Sequence, residues 1–121
     1  MRPAAEQSVH DRVIQALQEQ LEQEGFQDVR TNPDRQKDHT INCDGRKLWP
    51  DVFTVENSRA TRIHEVETVG TVDAGAAEQW EDYSSCVRPF YLVVPESRQD
   101  KAKEILQDRG IPCDGILTYQ G

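Results

Sequence analysis

Three features that would assign the 121-residue chain to a specialised class are missing from its sequence. It has no C-x-x-C pair, and its cysteines, Cys43, Cys86 and Cys113, are widely spaced and odd in number. This pattern predicts three reduced, partly buried thiols rather than a zinc site or a disulfide framework. No run approaches the ~18 apolar residues of a membrane span, and "MRPAAEQSVHDR" lacks the apolar stretch of a secretory signal. We therefore expect a cytoplasmic protein.

Positive charge is also scarce, since the formal net charge is −8 and only four lysines accompany ten arginines. Such a balance argues against a protein that coats nucleic acid through bulk positive charge. The one basic concentration runs from Arg30 to Lys47, where five lysines and arginines face three aspartates. This segment could contact phosphates of a nucleic acid or form a solvated loop.

Length and composition predict a single domain over residues 1–121 with one core, because 36% of the residues are apolar. The first helix is indicated by Val9, Val13, Ile14, Leu17 and Leu21, which share one helical face. Ser8 is its predicted N-cap and Gly25 its predicted stop. "AAEQWEDYSSCV" and "SRQDKAKEILQDRG" are further predicted helices, the second with Ser97 near its start and Gly110 at its end.

The predicted strands fall between these helices. "TINC" and "KLWPDVFTV" flank Asp44-Gly45, a dipeptide favoured in two-residue hairpin turns, and "TRIHEVETV" follows the turn at "NSRA". "PFYLVVP" is a continuous apolar run of the kind buried on both faces of a sheet, and "GILTY" closes the chain. The fold class is therefore α/β, with a mixed central sheet flanked by helices.

Carboxylates are concentrated on the predicted strands. Glu65 and Glu67 would share one strand face about 6 to 7 Å apart, with His64 and Val66 on the other face. Pairing of the two central strands would bring Asp51 close to both glutamates. Three converging carboxylates repel one another unless a divalent cation neutralises them, and oxygen ligands suit Mg²⁺. A solvated acidic strand face is the alternative.

Pro50-Asp51, followed after thirteen residues by Glu65-Val66-Glu67, resembles the PD-(D/E)xK nuclease superfamily. The resemblance implies a restriction-endonuclease-like αβββαβ core, to which the last helix and strand would be C-terminal additions. It also implies hydrolysis of phosphodiester bonds in DNA or RNA with Mg²⁺ or Mn²⁺. Asp51, Glu65 and Glu67 would then be the metal ligands and catalytic carboxylates.

Gln79 and Tyr83 form a Q-x-x-x-Y pair on the helix after the acidic strand, as in several exonuclease-like branches of this superfamily. Their spacing places both on one helix face. The resemblance implies that they contact the scissile phosphate or brace the carboxylates. The alternative is that Tyr83 belongs to the core and Gln79 is exposed.

The chain departs from the superfamily at Glu67, where a lysine is usual. Lys47 lies four residues from Asp51, roughly 13 Å along an extended chain, and Lys37 lies in a loop. Asp11 and Glu22 are candidates for the extra acid that many relatives take from the first helix. Two hypotheses stay open: an active nuclease, or a catalytically silent module that binds nucleic acid or protein, as a homodimer or through a partner.

Overall fold

The computed structural model describes residues 2–33 and 37–121. Its helices are α1 (Ala4–Gln23), α2 (Ala77–Cys86) and α3 (Gln99–Arg109), the last preceded by a short 3₁₀ turn at Glu96–Arg98. Its strands are β1 (Val29–Thr31), β2 (Ile41–Cys43), β3 (Arg46–Leu48), β4 (Val52–Glu56), β5 (Arg59–Val66), β6 (Phe90–Pro95) and β7 (Gly115–Tyr119).

Five strands form the main sheet, in the order β1-β4-β5-β6-β7. The first three pair antiparallel, whereas β6 and β7 each join in parallel to the strand before them. Parallel neighbours need long crossovers, and α2 and α3 supply them. The predicted α/β class and mixed sheet are confirmed.

Alternation along β5 gives the sheet two buried faces. On one face, α1 packs Ile14, Leu17 and Leu21 against Val52 and other valines of the sheet. On the opposite face, α2 and α3 cover a larger apolar cluster centred on Trp80. Because β5 and β6 are buried on both sides, polar side chains on them need internal partners.

The prediction that "KLWPDVFTV" forms one continuous strand is wrong. It splits into β3 and β4 at Trp49–Asp51, since Pro50 has no N–H to donate to a ladder. β3 pairs only with β2, around the predicted turn at Asp44-Gly45, whose positive φ angles of 52° and 85° suit a hairpin turn. The β2–β3 hairpin is thus a separate two-stranded sheet beside the main one.

Helix boundaries also differ from prediction at the N-terminus. α1 begins at Ala4 after Pro3, so Ser8 lies inside the helix and is not its N-cap. The Gln7 N–H donates to the Pro3 carbonyl, and proline fits this position because it has no N–H that needs a partner. α1 ends at Gln23, two residues before Gly25, and Gly110 ends α3 in the left-handed conformation, as predicted.

The prediction of three reduced thiols is wrong for two of them. Cys43 and Cys86 form a disulfide, and their Cα atoms lie 5.8 Å apart, a usual spacing for this bond. The reason is that the β2–β3 hairpin folds back onto the end of α2. Cys113 is a free, partly buried thiol. In residues 2–33 and 37–121, no helix has both the length and the apolarity that crossing a membrane requires.

Candidate functional site

The structure brings the three predicted carboxylates to one end of the central strands. Asp51 lies directly before β4, and Glu65 is the second-last residue of β5. Val52 pairs with His64 in the antiparallel register, so the start of β4 lies beside the end of β5. Glu67 continues the line of β5, because its N–H donates to the Val93 carbonyl at 2.9 Å.

Two hydrogen bonds join Asp51 to the neighbouring residues Glu65 and Val66. The Asp51 N–H donates to Glu65 Oε1 at 2.8 Å, and the Val66 N–H donates to Asp51 Oδ2 at 2.8 Å. Each carboxylate therefore takes a backbone donor from the neighbouring strand. This interlock fixes the orientation of both side chains where the regular ladder ends.

Glu65 is only 5% exposed, although it carries an acidic group. Burial raises its pKa well above the ordinary value, and the nearby charges of Asp51 and Glu67 raise it further. A buried carboxyl among like charges is stable when it is protonated or when a cation lies against it. The electrostatics of this pair therefore favour the uptake of positive charge.

His10 of α1 joins this pair and was missed by the sequence analysis. Its Nε2 lies 3.0 Å from Asp51 Oδ1, its Nδ1 lies 3.1 Å from Asp11 Oδ1, and the residue is 1% exposed. Burial lowers the pKa of His10, but its hydrogen bond to Asp51 and the Asp51 charge outweigh that effect and raise it. A signal was present: His10 lies four residues before Ile14, on the apolar face of the helix.

The two acids considered on α1 therefore have different positions. Asp11 is linked to the cluster through His10 and also accepts a hydrogen bond from Gln7 Nε2 at 3.0 Å. Glu22 is exposed near the far end of the helix, about 18 Å from His10 along its axis. The structure brings the first toward the carboxylates and not the second.

Glu67 has its own set of donors. Trp80 Nε1 donates to its Oε2 at 2.9 Å, Thr71 Oγ1 donates to its Oε1 at 2.7 Å, and Arg2 lies 3.4 Å from Oε1. Burial raises its pKa despite the opposing effect of the Trp80 and Thr71 hydrogen bonds. In the described residues, no three His, Cys, Asp or Glu side chains already stand in an arrangement that could hold a metal ion.

The Q-x-x-x-Y pair is divided between surface and core. Gln79 is exposed and lines a depression of about 390 Å³ together with Glu67, Thr71 and Arg2. Tyr83 is 8% exposed, and its Oη donates to the Trp49 carbonyl at 3.4 Å. Burial, followed by the charges of the three carboxylates, raises its pKa. Gln79 thus has access to solvent beside Glu67, whereas Tyr83 underlies the site.

Neither candidate lysine contacts the carboxylates. Lys47 is exposed on β3, and Lys37 Nζ lies 4.7 Å from the centre of the Trp49 ring. Within the described part of the chain, the basic side chains that contact the site are Arg2 and His10.

Two arginines of the predicted basic segment are neutralised by ion pairs. Arg30 and Arg46 form ion pairs with Asp28 and Asp82. Arg35, which belongs to the same prediction, lies outside the described residues. The segment therefore presents less free positive charge than its composition indicates.

Comparison of the chain with protein-family models, with curated proteins and with solved structures finds no match.

Proposed function

We propose that this domain is a metal-dependent nuclease in which Asp51 and Glu65 bind Mg²⁺ or Mn²⁺ and phosphodiester bonds are hydrolysed. The observation that carries the proposal is the interlocked pair formed by the buried carboxylate of Glu65 and the partly buried carboxylate of Asp51, where β4 begins and β5 ends. The raised pKa of Glu65 supports it, because a divalent cation would relieve the same repulsion that a proton relieves.

The topology supports the same proposal. If the β2–β3 hairpin is regarded as an insertion, the elements α1, β1, β4, β5, α2 and β6 follow the αβββαβ order of the restriction-endonuclease-like core. The carboxylates lie on the second and third strands of that series, where the resemblance implies the active site. On this proposal, α3 and β7 are the C-terminal additions.

The surrounding side chains have distinct roles in the proposed reaction. A bound divalent cation would supply activated water and neutralise charge on the phosphate. The Val66 N–H and His10 orient the Asp51 carboxylate, and the Asp51 N–H orients that of Glu65.

Residues farther along the chain complete the proposed site. Gln79 is exposed beside Glu67 and can donate its amide to a substrate phosphate. Tyr83 braces the segment before Asp51 through the Trp49 carbonyl. Because the chain carries a charge of −8, the affinity for nucleic acid would depend on bound cations or on a partner.

A second candidate, the catalytically silent nuclease-fold module, is favoured by one observation. Both oxygens of Glu67 already accept hydrogen bonds, from Trp80 on one side and from Thr71 on the other. On this alternative, Glu67 is a structural group rather than a ligand or a water-orienting base. With no lysine against the carboxylates in the described residues, the module would bind nucleic acid or protein without cutting.

The experiment is an isothermal titration of Mn²⁺ into the wild type, the Asp51→Asn/Glu65→Gln double variant, and Glu22→Gln as a control that removes one exposed acid. It is followed by incubation of the same proteins with labelled DNA and RNA oligonucleotides. The proposal expects binding and cleavage by the wild type and the control, and neither by the double variant.

Two other outcomes decide against the active enzyme. Manganese binding without cleavage of single-stranded or duplex DNA or RNA would select the silent module. If the wild type binds no Mn²⁺ in the absence or presence of oligonucleotide and cuts none of them, the metal site itself is refuted.

A further inference from the structure

A second cleft, of about 590 Å³, opens beside the central strands at the end opposite to the carboxylates. Its apolar floor is formed by Ile41 of the hairpin, by Phe53, Val55 and Ala60 of β4 and β5, and by Val87 after α2. The residues that line the cleft do not include Asp51, Glu65 or Glu67, and the nearest of them to Asp51 in sequence, Phe53, lies about 7 Å away along an extended chain. The cleft is therefore separate from the candidate carboxylate site.

The rim of this cleft carries positive charge that is only partly neutralised. Arg30 is held by Asp28 through two hydrogen bonds of 3.1 and 3.0 Å. Arg59 is exposed at the rim, and in the described residues its guanidinium has no ion pair, hydrogen bond or aromatic contact. Glu56 is its register partner across β4 and β5 but forms no ion pair with it. One free guanidinium thus stands over an apolar floor.

We propose that this cleft binds a small organic anion, with an apolar ring or chain on the floor and a single carboxylate or phosphate group on Arg59. The volume lies in the range of small-molecule pockets. The lining combines the apolar side chains of the floor with the polar residues Thr40, Asn42 and Ser58. A guanidinium binds planar carboxylate and phosphate groups through paired charge-assisted hydrogen bonds. On a chain of −8, this local free cation gives the cleft its preference for anions.

The wall of the cleft that is formed by the β2–β3 hairpin is joined to α2 by the disulfide. Cys86 lines the cleft and is bonded to Cys43 at the end of β2. Ile41, two residues from Cys43, is consequently held over the sheet. This wall of the cleft is thus fixed before any ligand enters, which reduces the ordering cost of binding.

The test is a heteronuclear NMR titration of the disulfide-bonded protein with 3-phenylpropionate, phenyl phosphate and the uncharged 3-phenylpropan-1-ol. The variants are Arg59→Gln and, as a matched control, Arg98→Gln, which changes an exposed arginine outside the cleft. We expect both anions to shift the amide signals of Ile41, Val55, Ala60 and Val87.

Arg59→Gln should weaken binding of both anions up to about fivefold, and the alcohol should bind the wild type about fivefold more weakly than either. Arg98→Gln should match the wild type. The tighter of the two anions identifies the head group that the cleft prefers.

The proposal is overturned if the shifts are absent up to about 10 mM, where even millimolar affinity would fill the site. It is equally overturned if the shifts lie elsewhere, if Arg59→Gln leaves the affinity unchanged, or if the alcohol binds as tightly as the anions. None of these outcomes bears on the nuclease proposal, which is tested by manganese binding at Asp51 and Glu65.

Discussion

The two faces of β5 bury polar side chains to a similar extent, but by different means. On the α2 face, Glu65 and Glu67 are 5% and 3% exposed and accept hydrogen bonds from neighbouring strands, helix and loop. On the α1 face, His64 is 3% exposed and stacks on Tyr91, with ring centres 4.9 Å apart. Its Nδ1 is a buried atom, and no side chain or backbone group among residues 2–33 and 37–121 forms a hydrogen bond with it.

The two faces differ because burial shifts the pKa of an acidic group and of a basic group in opposite directions. Burial disfavours the charged form, so it raises the pKa of the two glutamates and lowers that of His64. The histidine can remain neutral without a partner. Glu65, surrounded by two further carboxylates, gains from a proton or a cation. The α2 face is therefore suited to cation binding and the α1 face to packing.

The largest predicted effect on stability comes from protonation of His64, which would place a buried charge on the α1 face. Burial, with a contribution from Arg62, lowers its pKa from the usual 6.5 to about 4. Between these values the unfolded chain holds a proton that the folded chain does not. His64 therefore does not lower the free energy of unfolding above pH 6.5. As the pH drops from 6.5 to 4, this free energy falls by about 3 kcal/mol because the unfolded chain takes up a proton that the folded chain does not.

Urea unfolding from pH 7.5 to 3.5, in the wild type and in His64→Phe, measures this loss. The phenylalanine keeps the ring stack but cannot titrate. We expect the difference in unfolding free energy between the two proteins to change with pH in the 6.5 to 4 window. A constant difference would show that His64 is protonated as easily in the fold as in the unfolded chain.

The next largest effect concerns the partner of Glu67. Trp80→Phe keeps an aromatic ring but removes the N–H that donates to Glu67 Oε2, and we expect a loss of about 2 kcal/mol, as for a buried hydrogen bond to a charged group. Part of that loss comes from the smaller ring. A double-mutant cycle with Glu67→Gln, followed by urea unfolding, isolates the contact. Additive effects of the two changes would mean that Trp80 contributes only packing.

The smallest predicted effect on stability is that of replacing Glu65, and it tests whether the buried charges on the α2 face repel one another. Glu65→Gln keeps the acceptor for the Asp51 N–H and removes a negative charge, so we expect a stabilisation of about 1 kcal/mol when no divalent cation is present. Because the folded pKa is raised, the penalty of the ionised carboxyl is absent at low pH. It appears as the pH rises above the ordinary value of 4.5 through the folded value.

Thermal unfolding in a chelator, at several pH values, checks this gain. Glu56→Gln, which changes an exposed acid on β4, serves as the control and should alter stability by less than about 0.5 kcal/mol. With Mn²⁺ added, the order should reverse, because only the wild type retains the ligand pair. A variant that is less stable at every pH would contradict the repulsion assigned to Glu65.

Local chemistry made much of the fold predictable. The Asp44-Gly45 turn, the alternation that places Glu65 and Glu67 on one face, and the buried strand at Phe90–Pro95 all follow from short-range patterns. These patterns depend on steric preferences and on the period of a strand, which are properties of a few adjacent residues. The meeting of Asp51 with Glu65 followed because β4 and β5 are neighbours joined by a tight turn.

The contacts that the sequence did not predict depend on how segments far apart in the sequence pack together. His10 and Asp51 are 41 residues apart, and their contact requires α1 to lie across the sheet at one particular height. Arg2 reaches Glu67 across 65 residues for the same reason. The Cys43–Cys86 bond likewise depends on where Pro50 turns the chain out of the hairpin. No short-range pattern specifies these tertiary placements.

That disulfide also has a consequence for the topology of the chain. It closes a covalent loop between residues separated by 43 positions, and Asp51, Glu65, Glu67, Gln79 and Tyr83 all lie inside it. Closing a loop of this length removes conformational freedom from the unfolded chain worth about 4 kcal/mol. Every residue of the candidate site from Asp51 to Tyr83 therefore belongs to one ring, whereas the two basic side chains that contact it, those of Arg2 and His10, lie on the N-terminal segment outside that ring.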